Sequence, residues 1–229
     1  MILSFIFLMY LFVGWVVKQT FGAEIKTSKT IALCFDDGPR PLVLEKLLPV
    51  LEKYKVPGNF FVIGAIAFNN MKILEKMHKD GHEIENHSWG HENFMKLYNW
   101  KGTNTVSESL LDTEVTIFNA TGRKPRFFRP PFWAINKDVE KIIKGWGYTI
   151  MKLNDPDINT EDYEDFSKHR PPEVLIERVK SEVASRERQG KFNHVLVFHE
   201  LPLTAEALKT LIPYFQAQGY KFIRLDEKY

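Results

Sequence analysis

The sequence contains a single cysteine, Cys34. One thiol excludes an intramolecular disulfide and an all-cysteine zinc site, so any metal must be held by His, Asp or Glu. An excess of charge of one sign is also missing. Lys and Arg number 31 against 29 Asp and Glu, a formal net charge of +2. The lysines are scattered and no basic run interleaves with aromatics, which argues against a nucleic-acid partner. There is no internal repeat and no low-complexity stretch. The mildly basic pI of about 8.5 is compatible with an anionic cell-wall polymer without implying one.

What is present is the profile of a globular protein. Apolar residues make up 44% and charged residues 26% of 229 residues, which suits one domain around one core. Residues 1–17 are almost wholly apolar, interrupted by Ser4, Tyr10 and Gly14 and ended by Lys18. That run is long for a signal-peptide core and short for a membrane span. Thr20-Phe21-Gly22-Ala23 is a candidate cleavage site, although Phe21 fits the small-residue pattern poorly and no Lys or Arg precedes the run. Residues 1–23 are therefore read as a cleaved signal peptide or an uncleaved anchor, with a buried core helix as the third option. The first two export a domain spanning 24–229: secreted, periplasmic or membrane-anchored facing outward, touching a membrane only through that anchor.

From Lys29 onward, short β-rich runs alternate with segments of helical spacing. Strands are expected over 30–35, 59–63, 82–86, 126–129, 148–154, 194–199 and 221–224. Between them Leu44, Leu47, Leu48 and Leu51 recur at helical spacing, as do Ile73, Leu74 and Met77, and Val174, Leu175, Val179 and Val183. A further helix over 107–117 is closed by Asn119 and Gly122. Gly81, Gly147 and Gly219 follow other helical stretches, where a left-handed residue ends a helix. Alternating strands and helices imply βαβ units on a parallel sheet, open or closed into a barrel. The polar segment 154–170 reads as a long loop, and such loops in compact domains are often functional.

The chemically capable residues cluster at expected strand ends. Asp36-Asp37 follows the first strand, His87 the third, Arg129 the fourth, Asn154-Asp155 the fifth and His199 the sixth. In a parallel α/β fold the C-terminal strand ends share one face, so groups distant in sequence would meet in one bowl. Two adjacent carboxylates after an apolar strand are costly without a counter-charge or a metal. The plainer reading is a cap for a helix beginning near Pro41. His87 and His91 at i, i+4 would stack on a helical turn with spacing suited to one metal ion; by itself the pair is weak, since chance pairs are frequent. Arg129, on a stiff segment before Pro130-Pro131, could clamp a carboxylate or simply sit at the surface.

Together these segments resemble the polysaccharide deacetylases, carbohydrate esterase family 4, which includes chitin and peptidoglycan N-acetylglucosamine deacetylases. Leu33–Pro39 is similar to the family's T-F-D-D-G-P motif, with Cys34 for the threonine. His87–His91 is similar to H-[ST]-x-x-H, Arg129-Pro130-Pro131-Phe132 to R-x-P-[YF], and Val197-Phe198-His199 to L-x-H. The D-x-x-D-W motif departs: Asn154-Asp155-Pro156-Asp157 keeps its second Asp, while Asp162-Tyr163 keeps an Asp and an aromatic further on. The resemblance implies a distorted (β/α)7 barrel of parallel strands with its active site at their C-terminal ends. It implies Asp37, His87 and His91 as ligands of one divalent metal ion, Zn²⁺ first and Co²⁺ or another first-row metal next. Asp36 is implied as base oriented by Arg129, the Phe132 N–H as oxyanion donor, and His199 as acid, tuned by Asp157 or Asp162. Val197, Trp133 and Pro131 are implied around the substrate, and Ser88 as support for the histidine loop. The implied activity is hydrolytic removal of acetyl groups from N-acetylglucosamine units of a chitin-type polymer or peptidoglycan, by a monomer whose partner is the poly- or oligosaccharide. The alternatives are O-deacetylation of acetylated xylan and a catalytically inactive carbohydrate-binding homologue.

Overall fold

The computed structural model describes residues 28–153 and 157–229. The signal or anchor reading of residues 1–23, and Asn154-Asp155, lie outside them. No helix among the described residues is long and apolar enough to cross a membrane.

Eight strands form one sheet in which every pairing is parallel. They are β1 (Thr30–Gly38), β2 (Gly58–Val62), β3 (Glu83–Asn86), β4 (Phe127–Phe128), β5 (Thr149–Ile150), β6 (Asp157–Asn159), β7 (Asn193–His199) and β8 (Lys221–Phe222). The order is β5-β4-β3-β2-β1-β7-β6, with β8 pairing to β1. One edge of β1 is shared: Thr30 and Ile31 pair with β8, and Leu33 onward with β2. The sheet curls into the distorted (β/α)7 barrel of the expected fold class. Among the described residues no ladder joins β5 to β6, so the barrel is not closed there.

Alternation along the strands sorts residues between two apolar layers. Ile31, Leu33 and Phe35 of β1, with Leu196 and Phe198 of β7, face the helices in the larger core cluster. Ala32, Cys34, Val195 and Val197 face inward with Phe61, Phe127 and Met151. The outer layer is covered by α1 (Pro41–Tyr54), α2 (Gly64–Phe68), α3 (Met71–Lys79), α7 (Pro172–Glu187) and α8 (Pro202–Ala217). In α1 a proline occupies the first turn, where no N–H is needed, and Leu44, Leu47, Val50 and Leu51 form the buried stripe. Leu47 is fully buried, and truncating it to alanine is expected to cost about 2–5 kcal/mol. A third cluster packs Phe94, Val106 and Leu110 of α4 (Phe94–Thr121) against Phe128 and against Val139 and Ile143 of α5 (Lys137–Gly145).

Three expectations are corrected in detail. The helix over 107–117 begins at Phe94, capped by the Asn93 side chain, and is broken at Gly102, whose φ of 77° is not helical; Gly122 ends it in the left-handed conformation. The strand over 148–154 is confined to Thr149–Ile150. The expected loop 154–170 carries β6 and the short helix α6 (Asp162–Ser167), so the sheet has eight strands where seven were expected. Three residues of strand and six of helix are too short to leave a periodic signature in sequence.

Candidate metal centre and hydrolytic site

The C-terminal ends of β1, β3, β4 and β7 bring Asp36, Asp37, His87, Arg129 and His199 to one face. Asp36 and His199 are register partners on adjacent strands. Asp36 keeps the strand alternation and points inward, where its Oδ1 accepts from Arg129 Nη1 at 2.6 Å; both side chains are almost fully buried. The Arg129 guanidinium stacks over Phe61 at 4.0 Å. A buried ion pair is compact but fragile: removing one partner strands the other charge.

Strand geometry does not continue into Asp37. Register slips between Asp36 and Gly38, a β-bulge, and Asp37 has φ 69°. The two aspartates therefore separate because the backbone turns, not through simple alternation. Neither caps a helix: the residue preceding α1 is Arg40, without a side-chain cap. The bulge delivers Asp37 Oδ1 to within 3.4 Å of His87 Nε2 and 3.1 Å of His91 Nε2.

The two histidines are not on a helical turn. Residues 87–93 form an irregular loop in which Ser88 and His91 have φ of 69° and 59°. The loop is held from below. Asn86 Oδ1 accepts from Ser88 N–H at 2.9 Å, and Ser109 Oγ accepts from Trp89 N–H at 2.8 Å. Ser88 Oγ accepts from Glu92 N–H at 3.2 Å. Of eight non-glycine residues with positive φ among those described, Asp37, Ser88, His91, Phe132 and Trp133 lie in the motif loops, and Glu161 adjoins Asp162. Each such conformation costs on the order of 1–3 kcal/mol, and such strain clusters where geometry serves a site.

The donor set fits a divalent cation on two counts. His87 Nδ1 lies 2.7 Å from the Arg129 carbonyl, which can only accept, so Nδ1 carries the proton and Nε2 presents its lone pair. Asp37 Oδ1 is buried yet has no partner in hydrogen-bond geometry among the described residues. One ligand atom from each of Asp37, His87 and His91 lies within 4.8 Å of the others. Burial raises the Asp37 pKa, and the facing imidazoles lower it below its usual range only when they carry positive charge or donate a proton.

On the other side of the bowl, Asp162 is fully buried and fully used. Its Oδ1 accepts from His199 Nδ1 at 2.8 Å, and its Oδ2 accepts from the His199 N–H and from Thr204 Oγ1, each at 2.7 Å. Burial lowers the His199 pKa, but the bond to Asp162 outweighs it and carries it up to about 9. Asp157 is not the partner of His199: it lies on β6 opposite Val195, two register positions below Val197. Sequence spacing could not choose between the two acids, because β6 and α6 set which one reaches β7.

The remaining expected residues divide by exposure. Phe132 is exposed and meets the His91 ring edge-on at 4.6 Å. Trp133 is half-buried against the inward-facing cluster, and Pro131 and Val197 are buried. Glu200, directly after His199, drew no attention in sequence, since a lone glutamate before a helix is ordinary. It is fully buried, its Oε2 accepts from Arg40 N–H at 2.7 Å, and burial pushes its carboxyl up to about 8.

A parallel α/β barrel that gathers two histidines and a carboxylate at its strand mouths defines a class of hydrolase-type site. The family model for polysaccharide deacetylase matches residues 23–151, more than half of the chain. The chain is 31% identical over 214 residues to the peptidoglycan-N-acetylglucosamine deacetylase PgdA of Listeria monocytogenes, covering 93% of this chain and 41% of that protein. A structure of T48 deacetylase with substrate superposes with a TM-score of 0.74 at 26% identity, covering 88% of this chain and 90% of that one. A CE4 family pseudoenzyme from Bacillus anthracis superposes equally well, with a TM-score of 0.74 at 25% identity over 88% of this chain and 65% of that one. The chain spans about two fifths of the length of the curated relatives it matches first. This chain belongs to the polysaccharide deacetylase family, carbohydrate esterase family 4.

Proposed function

We propose that this protein is a metal-dependent hydrolase that removes acetyl groups from N-acetylglucosamine units of peptidoglycan or a chitin-type polymer. The convergence of Asp37, His87 and His91 on one buried carboxylate oxygen that makes no hydrogen bond among the described residues carries this reading. Asp37, His87 and His91 would hold a divalent ion, Zn²⁺ before Co²⁺, which would supply Lewis-acid activation of the acetyl carbonyl and of water.

The chain's own residues do the rest. Asp36, fixed by Arg129, takes the proton from the attacking water. The Phe132 N–H offers a donor to the developing oxyanion. His199 is held by Asp162 through Nδ1, so Nε2 is the nitrogen that gives a proton to the departing amine. Val197, Pro131 and Trp133 bound the acetyl and sugar positions from the barrel side, and Ser88 steadies the histidine loop. Export of the domain, through a signal or anchor in residues 1–23, places it beside a cell-wall polymer.

The similarity to a pseudoenzyme keeps an inactive carbohydrate-binding homologue as the second reading. Retention of Asp36, Asp37, His87, His91, Arg129 and His199 counts against it. Acetate release from chitin oligomers, peptidoglycan and acetylxylan, with and without chelator, tests both. Chelator-sensitive release from N-acetylated substrates is expected. Release from acetylxylan alone favours O-deacetylation, and binding without release favours the inactive homologue.

A further inference from the structure

Asp37 sits in the bulged last residues of β1, where regular strand geometry is already lost. The turn that carries it adopts a positive φ at Asp37 and ends at Arg40 before α1 begins. From one side, Gly38 O accepts from Ile63 N–H at 2.8 Å. From the other side the hold comes from Glu200, through its backbone and its side chain. Its backbone N–H donates to Asp36 O at 3.1 Å, and its Oε2 accepts from Arg40 N–H at 2.7 Å. Its carboxyl fills the space above Gly38 so closely that a Cβ there would overlap it. Gly38 has no positive φ, so a side chain at this position would disturb the Glu200 carboxyl and not the backbone conformation.

Arg40 extends the connection to the ligand. Its Nε donates to Asp37 O at 3.4 Å, and its Nη2 stands 3.8 Å from Asp37 Oδ2. Glu200 thus grips both the backbone beside Asp37 and the N–H of the residue whose side chain leans on Asp37. Burying a carboxyl completely, with Oε1 unpartnered among the described residues, is unfavourable unless it does work elsewhere.

We propose that Glu200 is a positioning residue that locks the 37–40 turn and so fixes the Asp37 carboxylate for metal binding. This rests on the metal-dependent reading above. The hold is steric and through hydrogen bonding, so shape and reach decide it: Glu200→Gln keeps an acceptor for the Arg40 N–H, while Glu200→Asp withdraws it by one methylene.

The test is titration of metal-stripped protein with Zn²⁺ or Co²⁺ by calorimetry, with thermal unfolding of the same samples. Glu200→Asp is expected to weaken metal binding at least tenfold, on the scale known for residues that support metal ligands, and Glu200→Gln less than threefold. Gly38→Ala is expected to weaken binding at least tenfold in the wild-type background but less than threefold when Glu200 is already alanine, since the overlap is then gone. The Gly38→Ala comparison within full-length, folded Glu200→Asp protein serves equally if Glu200→Ala does not fold. Glu200→Asp protein that melts earlier yet binds metal like wild type overturns the proposal and leaves Glu200 a core residue only. Wild-type protein that takes up no metal overturns both this proposal and the function on which it rests.

Discussion

Two aspartate–histidine groups stand at the mouth of the same sheet, and they are built for different guests. Asp37 faces His87 and His91, yet its Oδ1 makes no hydrogen bond among the described residues, and His87 has spent its Nδ1 proton on the Arg129 carbonyl. Asp162 faces His199 and accepts three hydrogen bonds, from the His199 ring, its backbone N–H and Thr204. The first group gathers one ligand atom from each of three residues and leaves Asp37 Oδ1 without a hydrogen bond among the described residues. The second is satisfied within itself and holds a proton on a histidine. The same residue types thus yield a cation site or an acid according to where the remaining hydrogen bonds go.

The largest expected effect breaks the first group. Asp37→Ala should lose stoichiometric metal and bring turnover to background, as read by metal analysis and acetate release on one preparation. Asp36→Asn comes next. It should keep its metal while kcat falls by ~10² or more, the usual scale for removing a general base. Arg129→Met should lower kcat less than Asp36→Asn, but it strands the buried Asp36 carboxylate, so chemical denaturation should show a loss of about 3–5 kcal/mol.

A subtler change sharpens the second group. His199 sits at about 9, above its ordinary 6.5. The protonated form is the one the fold favours. Its contribution to stability is fully present below about 6.5 and is lost as pH rises through about 9. Asp162→Asn should therefore move the His199 titration to lower pH in metal-free protein, observed by NMR, and pull the alkaline limb of the activity profile the same way. Turnover should fall by roughly tenfold to a hundredfold, less than the ~10²–10⁴ that a general acid contributes in full, because His199 itself remains. The smallest effect is expected from Asp157→Asn, which should leave the His199 titration where it is. A shift as large as that of Asp162→Asn would reassign the supporting acid.

The comparison also explains what could be read in the sequence. The metal group was legible because Asp36-Asp37, His87-x-x-x-His91 and Arg129 each end an expected strand, and parallel strands must bring those ends together. The way they meet was not legible. A bulge at Asp37 and an irregular histidine loop replace the straight strand and helical turn that spacing suggested. The acid group was half legible: His199 closes β7 plainly, but its partner sits on a six-residue helix after a three-residue strand. Glu200 was invisible, because only the packed turn shows that its carboxyl rests on Gly38.

The most direct measurement is the metal content per chain of wild type, Asp37→Ala and Asp162→Asn after identical reconstitution with Zn²⁺ and removal of excess ion. The account predicts one ion per chain in wild type and Asp162→Asn, and none in Asp37→Ala. Stoichiometric zinc retained by Asp37→Ala, or lost from Asp162→Asn, would contradict the division of the site into a cation group and a proton group.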